Sequence, residues 1–418
     1  MKVALIDPSC FTGPYDAGLA GGLAEAGAEV RLFVGNVRAD DPLNGSPGLV
    51  EHFYAGLSRP ALARLPKALF QGLKGCAHIA GMARLIRAFE HWRPDIVHFQ
   101  WTPLPLVDRR FLPILRRFGP LVLTVHDSTP FNGNPSARLQ AIGARAILDD
   151  FDALIVHTDQ AMRRLGPSIR DPDRLVRIAH GPLHAMAPAA EPAPAAKDLA
   201  DPAVELLLFG KLKPYKGLDV MIRAVALLSP EQRARCRVRI VGKPYMEIAP
   251  LLELARELGV ADSFVFEFRF VEDDEVPALL AEASAVIFPY REIDASGVLM
   301  AVLAAGRPIV ASAIGSFAEL LRDGEDALLV PPGDPAALAR ALARFIGDAG
   351  LRQALGAATQ NLAAAMPSWA EIGRTTRQLY ETLLAQGSRR GAAPVLGEKP
   401  LEAAGGGVLI RHGHGGDQ

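Results

Sequence analysis

Short apolar runs alternate with helix-period segments twice along this chain, and a stretch with neither pattern separates the two series. The first series has strand-like runs at 2–7, 29–34, 96–100, 121–125, 153–157 and 176–180, with helical patterns at 19–26, 107–117, 137–148 and 159–165. The second has strand-like runs at 205–210, 237–241, 264–268, 285–289, 308–311 and 327–330, with helical patterns at 218–228, 247–258, 274–283, 297–305 and beyond Pro335. A strand that is apolar along its whole length is buried on both faces, and helices between such strands are the crossovers of a parallel sheet. The expected fold class is therefore α/β, with two doubly wound, Rossmann-like domains and an interdomain cleft. The expected boundaries are 1–185 for the first domain, 186–201 for an alanine- and proline-rich linker and 202–366 for the second domain. A closing helix over 367–385 and a glycine-rich, disordered tail over 386–418 follow.

Composition bounds what such a chain binds. Its 418 residues, half of them hydrophobic, suffice for two cores. A formal net charge of −1 gives no global field for nucleic acid or an anionic membrane, so any anion site must be local. Cys10, Cys76 and Cys236 lie far apart without metal-ligand spacing, which argues against a disulfide framework and for a reducing compartment, the cytoplasm. No signal peptide is expected, and no run reaches the roughly 18–20 apolar residues of a membrane span. Residues 50–92 carry Arg59, Arg64, Lys67, Lys74, Arg84 and Arg87 among apolar positions. Amphipathic helices with solvated basic faces account for that pattern better than contact with a membrane or a lipid-linked acceptor, so any membrane contact is at most peripheral.

Ligands of open parallel sheets sit outside the carboxyl ends of the strands, which selects a few loops. In LLLFGKLKPYKGLD, 206–219, a strand stops at Gly210 and hands Lys211, Lys213 and Lys216 to a helix. A basic, glycine-bounded loop before a helix N-terminus is an anion cradle, and the expected guest is a phosphate. The loop at 289–297 follows the apolar run AVIFP and contains Glu292, Asp294, Ser296 and Gly297, with Val298 next in the helix. Ser296 is placed to cap that helix, and Gly297 lets a ligand approach the backbone, so a second helix start faces the same phosphate. In the first domain His126, followed by Asp127, ends a strand at the cleft, whereas His98 and His157 read as structural. No Asp-x-Asp pair follows a strand, so neither a metal site nor a cofactor is expected.

FGKLKPYKGLD, FPYREIDASGVLMAVLAAGRPIVAS and GSFAELLRDGEDALLVPPGDPAALA, together with TGPYDAGLAGGLAEAGAEV, VHFQW and LTVHD earlier, resemble the family 4 retaining glycosyltransferases (glycosyl transferases group 1) over nearly all of 1–385. The resemblance implies the GT-B fold, an acceptor-side first domain and a second domain that binds a nucleoside diphosphate sugar. It implies metal-independent transfer of the sugar, with retention, to a hydroxyl of a saccharide, a lipid-linked acceptor or a small molecule. Lys211 and Lys216 would hold the diphosphate, Gly13 would lie in the glycine loop near diphosphate and acceptor, and His126 would contact the donor sugar. The family's two glutamates, seven residues apart, register on Ile293 and Ala301. Glu292 and Asp294 flank the first slot and are the candidates for the sugar hydroxyls, while the ribose carboxylate has no counterpart. A GT-B binding or scaffold protein without turnover and a GT-B sugar-nucleotide epimerase are the alternatives; Lys213 is assigned no partner.

Overall fold

The computed structural model describes residues 1–37, 43–54, 57, 66–128, 142–183 and 198–391, with the side chains of 67, 68 and 387–391 left out. The first sheet is built from β1 (Lys2–Asp7), β2 (Glu29–Val34), β3 (Leu49–Glu51), β4 (Ile96–Phe99), β5 (Leu121–Thr124), β6 (Ala153–Val156) and β7 (Leu175–Arg177). Its order is β3-β2-β1-β4-β5-β6-β7, parallel throughout. The second contains β8 (Val204–Phe209), β9 (Cys236–Val241), β10 (Phe264–Glu267), β11 (Ala285–Phe288), β12 (Ile309–Ser312) and β13 (Leu328–Val330), in the order β10-β9-β8-β11-β12-β13. The central strands are fully buried along their length, as in β4, β5, β6 and β11, because helices cover both faces. This is the two-domain, doubly wound architecture expected from the alternation.

Both sheets reverse direction of growth once, between β1 and β4 and between β8 and β11. Chains leaving adjacent strands in opposite directions open a crevice, and the loops after these four strands form its floor. They are the loops containing Phe11, Trp101, Lys211 and Glu292.

Several elements differ from the sequence reading. The first helix is Gly13–Glu25, beginning six residues earlier than the pattern suggested. Pro14 suits a first helical turn. The buried Asp7 carboxylate shortens the preceding loop by accepting from the backbone N–H groups of Ser9 (3.0 Å), Phe11 (2.5 Å) and Thr12 (3.1 Å). β3 is a three-residue edge strand too short to show periodicity; within the basic region one long helix forms, Lys67–Trp92, and Arg59 and Arg64 lie outside the described residues. Over 137–148 only the end is described, as turns followed by a 3₁₀ turn at Leu148–Asp150; residues 129–141 lie outside the described residues. So do most of the linker, 184–197, and the tail from 392.

The final helix, Trp369–Gly391, runs beyond the expected end at 385 and packs on the first domain. Ile372, Tyr380 and Leu383 join the core formed by Val3, Leu5 and Leu23. Gly18 and Gly22 let it approach: a Cβ on Gly22 would lie 2.0 Å from the Trp369 carbonyl oxygen. Tyr380 Oη lies 2.6 Å from His98 Nδ1 on β4, which explains why His98 is structural.

Candidate functional site

At the end of β8 the chain turns through Gly210 at φ 103°, makes a 3₁₀ turn at Pro214–Lys216, and enters the helix Leu218–Ala226 through Gly217 at φ 67°. Glycine is required at 217 by contact as well as by the left-handed turn: a Cβ there would lie 1.9 Å from the Pro289 carbonyl oxygen. The loop after β8 is thereby clamped to the loop after β11. Arg291 adds a bidentate pair with Asp219 (2.8 and 2.6 Å) and donates its backbone N–H to Tyr215 O (2.8 Å).

Lys216 points inward from this clamp. Its side chain is buried, and Nζ donates to Phe209 O (3.1 Å) and Tyr290 Oη (2.6 Å), with the Tyr290 ring centroid 4.8 Å away. Burial, then repulsion from Lys213 and Lys211, lowers its pKa to about 7. Lys211 is exposed at the surface but stands between the cleft walls, and that enclosure, then Lys213, holds its pKa below the ordinary lysine value. A cavity of about 370 Å³ has Lys211, Lys216 and Val298 on one wall and Gly13 on the other. It continues past Phe11 and Lys211 into a second space of about 300 Å³, bordered by His126, Lys213, Glu292 and Gly297.

The first domain supplies the opposite wall. Phe11 stacks on Trp101 (centroids 4.6 Å apart), and Lys211 Nζ lies 5.3 Å from the centre of the Phe11 ring. Behind them Tyr15 is ringed by His126, His157, His180 and Trp369, at centroid distances of 4.8–5.2 Å. Burial, then the neighbouring histidines, holds His126 well below the ordinary imidazole pKa; His157 is lowered to about 3 and His180 to about 4, chiefly by burial. These rings are neutral near pH 7. Gln100 Oε1 lies 3.2 Å from His126 Nε2, which assigns the proton to Nε2 and leaves Nδ1 as an acceptor.

The structure brings His126, Lys211, Gly13, Glu292, Asp294 and Gly297 to one cleft, with Lys216 and Val298 bordering its inner part. Ser296 caps the helix Gly297–Ala304, its Oγ accepting from Leu299 N (3.2 Å). Asp294, buried, is engaged by the other domain: Oδ2 accepts from Ser128 N (2.6 Å) and Oδ1 from Arg164 Nη1 (3.1 Å). Glu292 also pairs with Arg164, at 3.4 Å. Lys213 borders the cleft and its Nζ lies 5.9 Å from the Tyr215 ring centre. Sequence reasoning missed Tyr15, Tyr290, Arg164 and His180. Tyr15 was hidden in a segment read as loop, and His180, ending the run at 176–180, carried the same strand-end signal as His126. Tyr290 and Arg164 carry no local signal, because their roles arise from contacts distant in sequence.

Residues 203–348 match the family described as Glycosyl transferases group 1, and residues 12–181 match the Glycosyl transferase 4-like domain. The D-inositol 3-phosphate glycosyltransferase of Salinispora arenicola is 30% identical over 358 residues, 80% of this chain and 78% of that protein. That of Acidothermus cellulolyticus is 32% identical over 362 residues, 82% and 79% of the two chains. Among solved structures, sucrose-phosphate synthase from Thermosynechococcus elongatus superposes with a TM-score of 0.68 at 20% identity, covering 92% of this chain and all of that one. Anabaena HepE in complex with UDP and glucose gives 0.66 at 17%, with the same coverage. The fold is GT-B, and the chain belongs to the group 1 glycosyltransferases.

Proposed function

We propose that this protein transfers a sugar from a nucleoside diphosphate sugar to a hydroxyl acceptor, with retention and without a metal. The observation that carries the reading is the buried Lys216 ammonium beneath Gly210, facing Gly13 across a cavity that Lys211 also borders. A buried cation with a pKa near 7 is held there at a cost, and a diphosphate offsets that cost by restoring the charge. Anabaena HepE, of the same fold, has been solved with UDP-glucose, which supports the donor class. The relatives named for an inositol phosphate support a hydroxyl acceptor.

In this reading the bond between the anomeric carbon and the diphosphate breaks as the acceptor oxygen bonds to the same face of the sugar. The acceptor's proton passes to the departing diphosphate. Lys211, Lys216 and the starts of the Gly13 and Gly297 helices stabilise the charge that develops there. Neutral His126 accepts a sugar hydroxyl at Nδ1. Asp273 is the carboxylate bordering the Lys216 cavity, and we assign it the ribose hydroxyls that no acidic residue at Ala301 can take. The dispersed cysteines fit a cytoplasmic protein. Among the described residues no helix is long and apolar enough to cross a membrane.

The test is a panel of nucleoside diphosphate sugars. At 100 times its dissociation constant the right donor raises stability by about 2.7 kcal/mol, and with an acceptor it releases nucleoside diphosphate in chelator-treated buffer. Stabilisation without release would favour a binding protein, and loss of activity on chelation would refute metal independence.

A further inference from the structure

We propose that Arg164 and Gln160 are positioning residues that latch the two domains together and hold the 292–297 loop at the cleft. Both lie on the first-domain helix Asp159–Leu165. Arg164 Nη1 donates to Asp294 Oδ1 (3.1 Å) and reaches Ser128 Oγ (3.2 Å) and Glu292 Oε1 (3.4 Å). Gln160 bridges two second-domain loops: its Oε1 accepts from Gly315 N (2.8 Å) and its Nε2 donates to Ile293 O (3.5 Å). From the second domain Glu319 answers, its carboxylate accepting from the backbone N–H groups of Asp159 (2.8 Å) and Gln160 (2.7 Å). Asp294 is tied from both sides, since its backbone oxygen also accepts from Ser316 N (2.8 Å).

Three features make this a device with a role in transfer. Its bonds run from one domain to the other, so they exist only while the cleft is closed. Asp294 is 5% exposed, and removing Arg164 leaves a buried carboxylate short of its cationic partner, which is costly. The latched loop leads within two residues into Ser296 and Gly297, the helix start that borders the cleft. Holding Asp294 therefore fixes where that helix start stands relative to Lys211, and displacements of about 1 Å at such a site cost up to about 10²-fold in rate. It also takes Asp294 away from the sugar hydroxyls, so donor selection falls to other groups of the cleft.

The positioning role rests on the transferase reading, whereas the latch does not, and the experiment separates them. Small-angle scattering of the nucleotide-free protein compares wild type with Arg164→Ala and Glu319→Gln, alongside donor kinetics. Both variants are expected to have a larger radius of gyration and a donor KM raised roughly 10- to 100-fold with a smaller loss in kcat. Arg164→Lys should recover part of both. Adding Asp294→Asn to Arg164→Ala should recover part of the loss, because it removes the buried charge left without its cation. Wild-type scattering and wild-type donor KM in both Arg164→Ala and Glu319→Gln would overturn the latch. Expansion of the variants in a protein that transfers no sugar would keep the latch and overturn the function.

Discussion

Lys216 owes its place in the site to burial. Its ammonium has exchanged water for Phe209 O and Tyr290 Oη, which is why its pKa falls from the ordinary 10.5 to about 7. Lys216→Ala should lower transfer by roughly 10²–10³, the loss expected for one preorganised donor at a site of developing charge, measured as kcat/KM with a fixed acceptor. Nucleoside diphosphate affinity should also depend on pH. An anion favours the ammonium, so the bound pKa lies above 7; affinity is complete below pH 7 and falls by about tenfold per unit above it, until the bound lysine also deprotonates. Without ligand the sign reverses: the unfolded chain holds the extra proton between pH 7 and 10.5, so this lysine's contribution to stability rises with pH there. Asp273→Ala should weaken nucleoside diphosphate binding while leaving the affinity for inorganic diphosphate and the fold intact, as parallel titrations with the two ligands would reveal.

At the scale of elements, the site is made by loops that leave β1, β4, β8 and β11 at the two points where sheet growth reverses. The loops after β8 and β11 hold one another through Gly217. Gly217→Ala places a Cβ against the Pro289 carbonyl oxygen in a left-handed conformation and should destabilise the second domain by about 1–3 kcal/mol or more, read from denaturant unfolding. Most of this was legible in the sequence. Continuous apolar strands announced two parallel sheets, glycine and lysine at a strand end marked a loop that borders the cleft, and Ser296 announced its cap. The start of the first helix was not, because Gly13, Pro14, Asp16 and Gly18 are turn formers by composition and become helix only with Asp7 gathering the preceding N–H groups. The engagement of Asp294 was not legible either. Arg164, which pairs with it, stands 130 residues away, and no local pattern marks the two as partners.

For the molecule as a whole, the last helix returns to the first domain, so the chain crosses between domains twice. Truncation before Trp369 should uncover Tyr15, Val3 and Leu5 and destabilise the first domain, seen as a separated, earlier unfolding transition. Tyr380→Phe, which leaves buried His98 without its phenol partner, should cost about 1–3 kcal/mol of the same stability. The two domains, joined by the helix and by the Arg164 contacts, enclose a cleft whose wall on one side is neutral imidazole and aromatic and on the other lysine. The central claim is that this cleft holds a diphosphate on Lys216. Calorimetric titration of wild type and Lys216→Gln with a panel of nucleoside diphosphates, at pH 6.5 and 8.5, tests it most directly. Wild type is expected to bind at least one of them, more tightly at the lower pH, and Lys216→Gln to lose both the tight binding and its pH dependence. Equal affinity in the two proteins, or no binding by wild type to any nucleoside diphosphate, would contradict it.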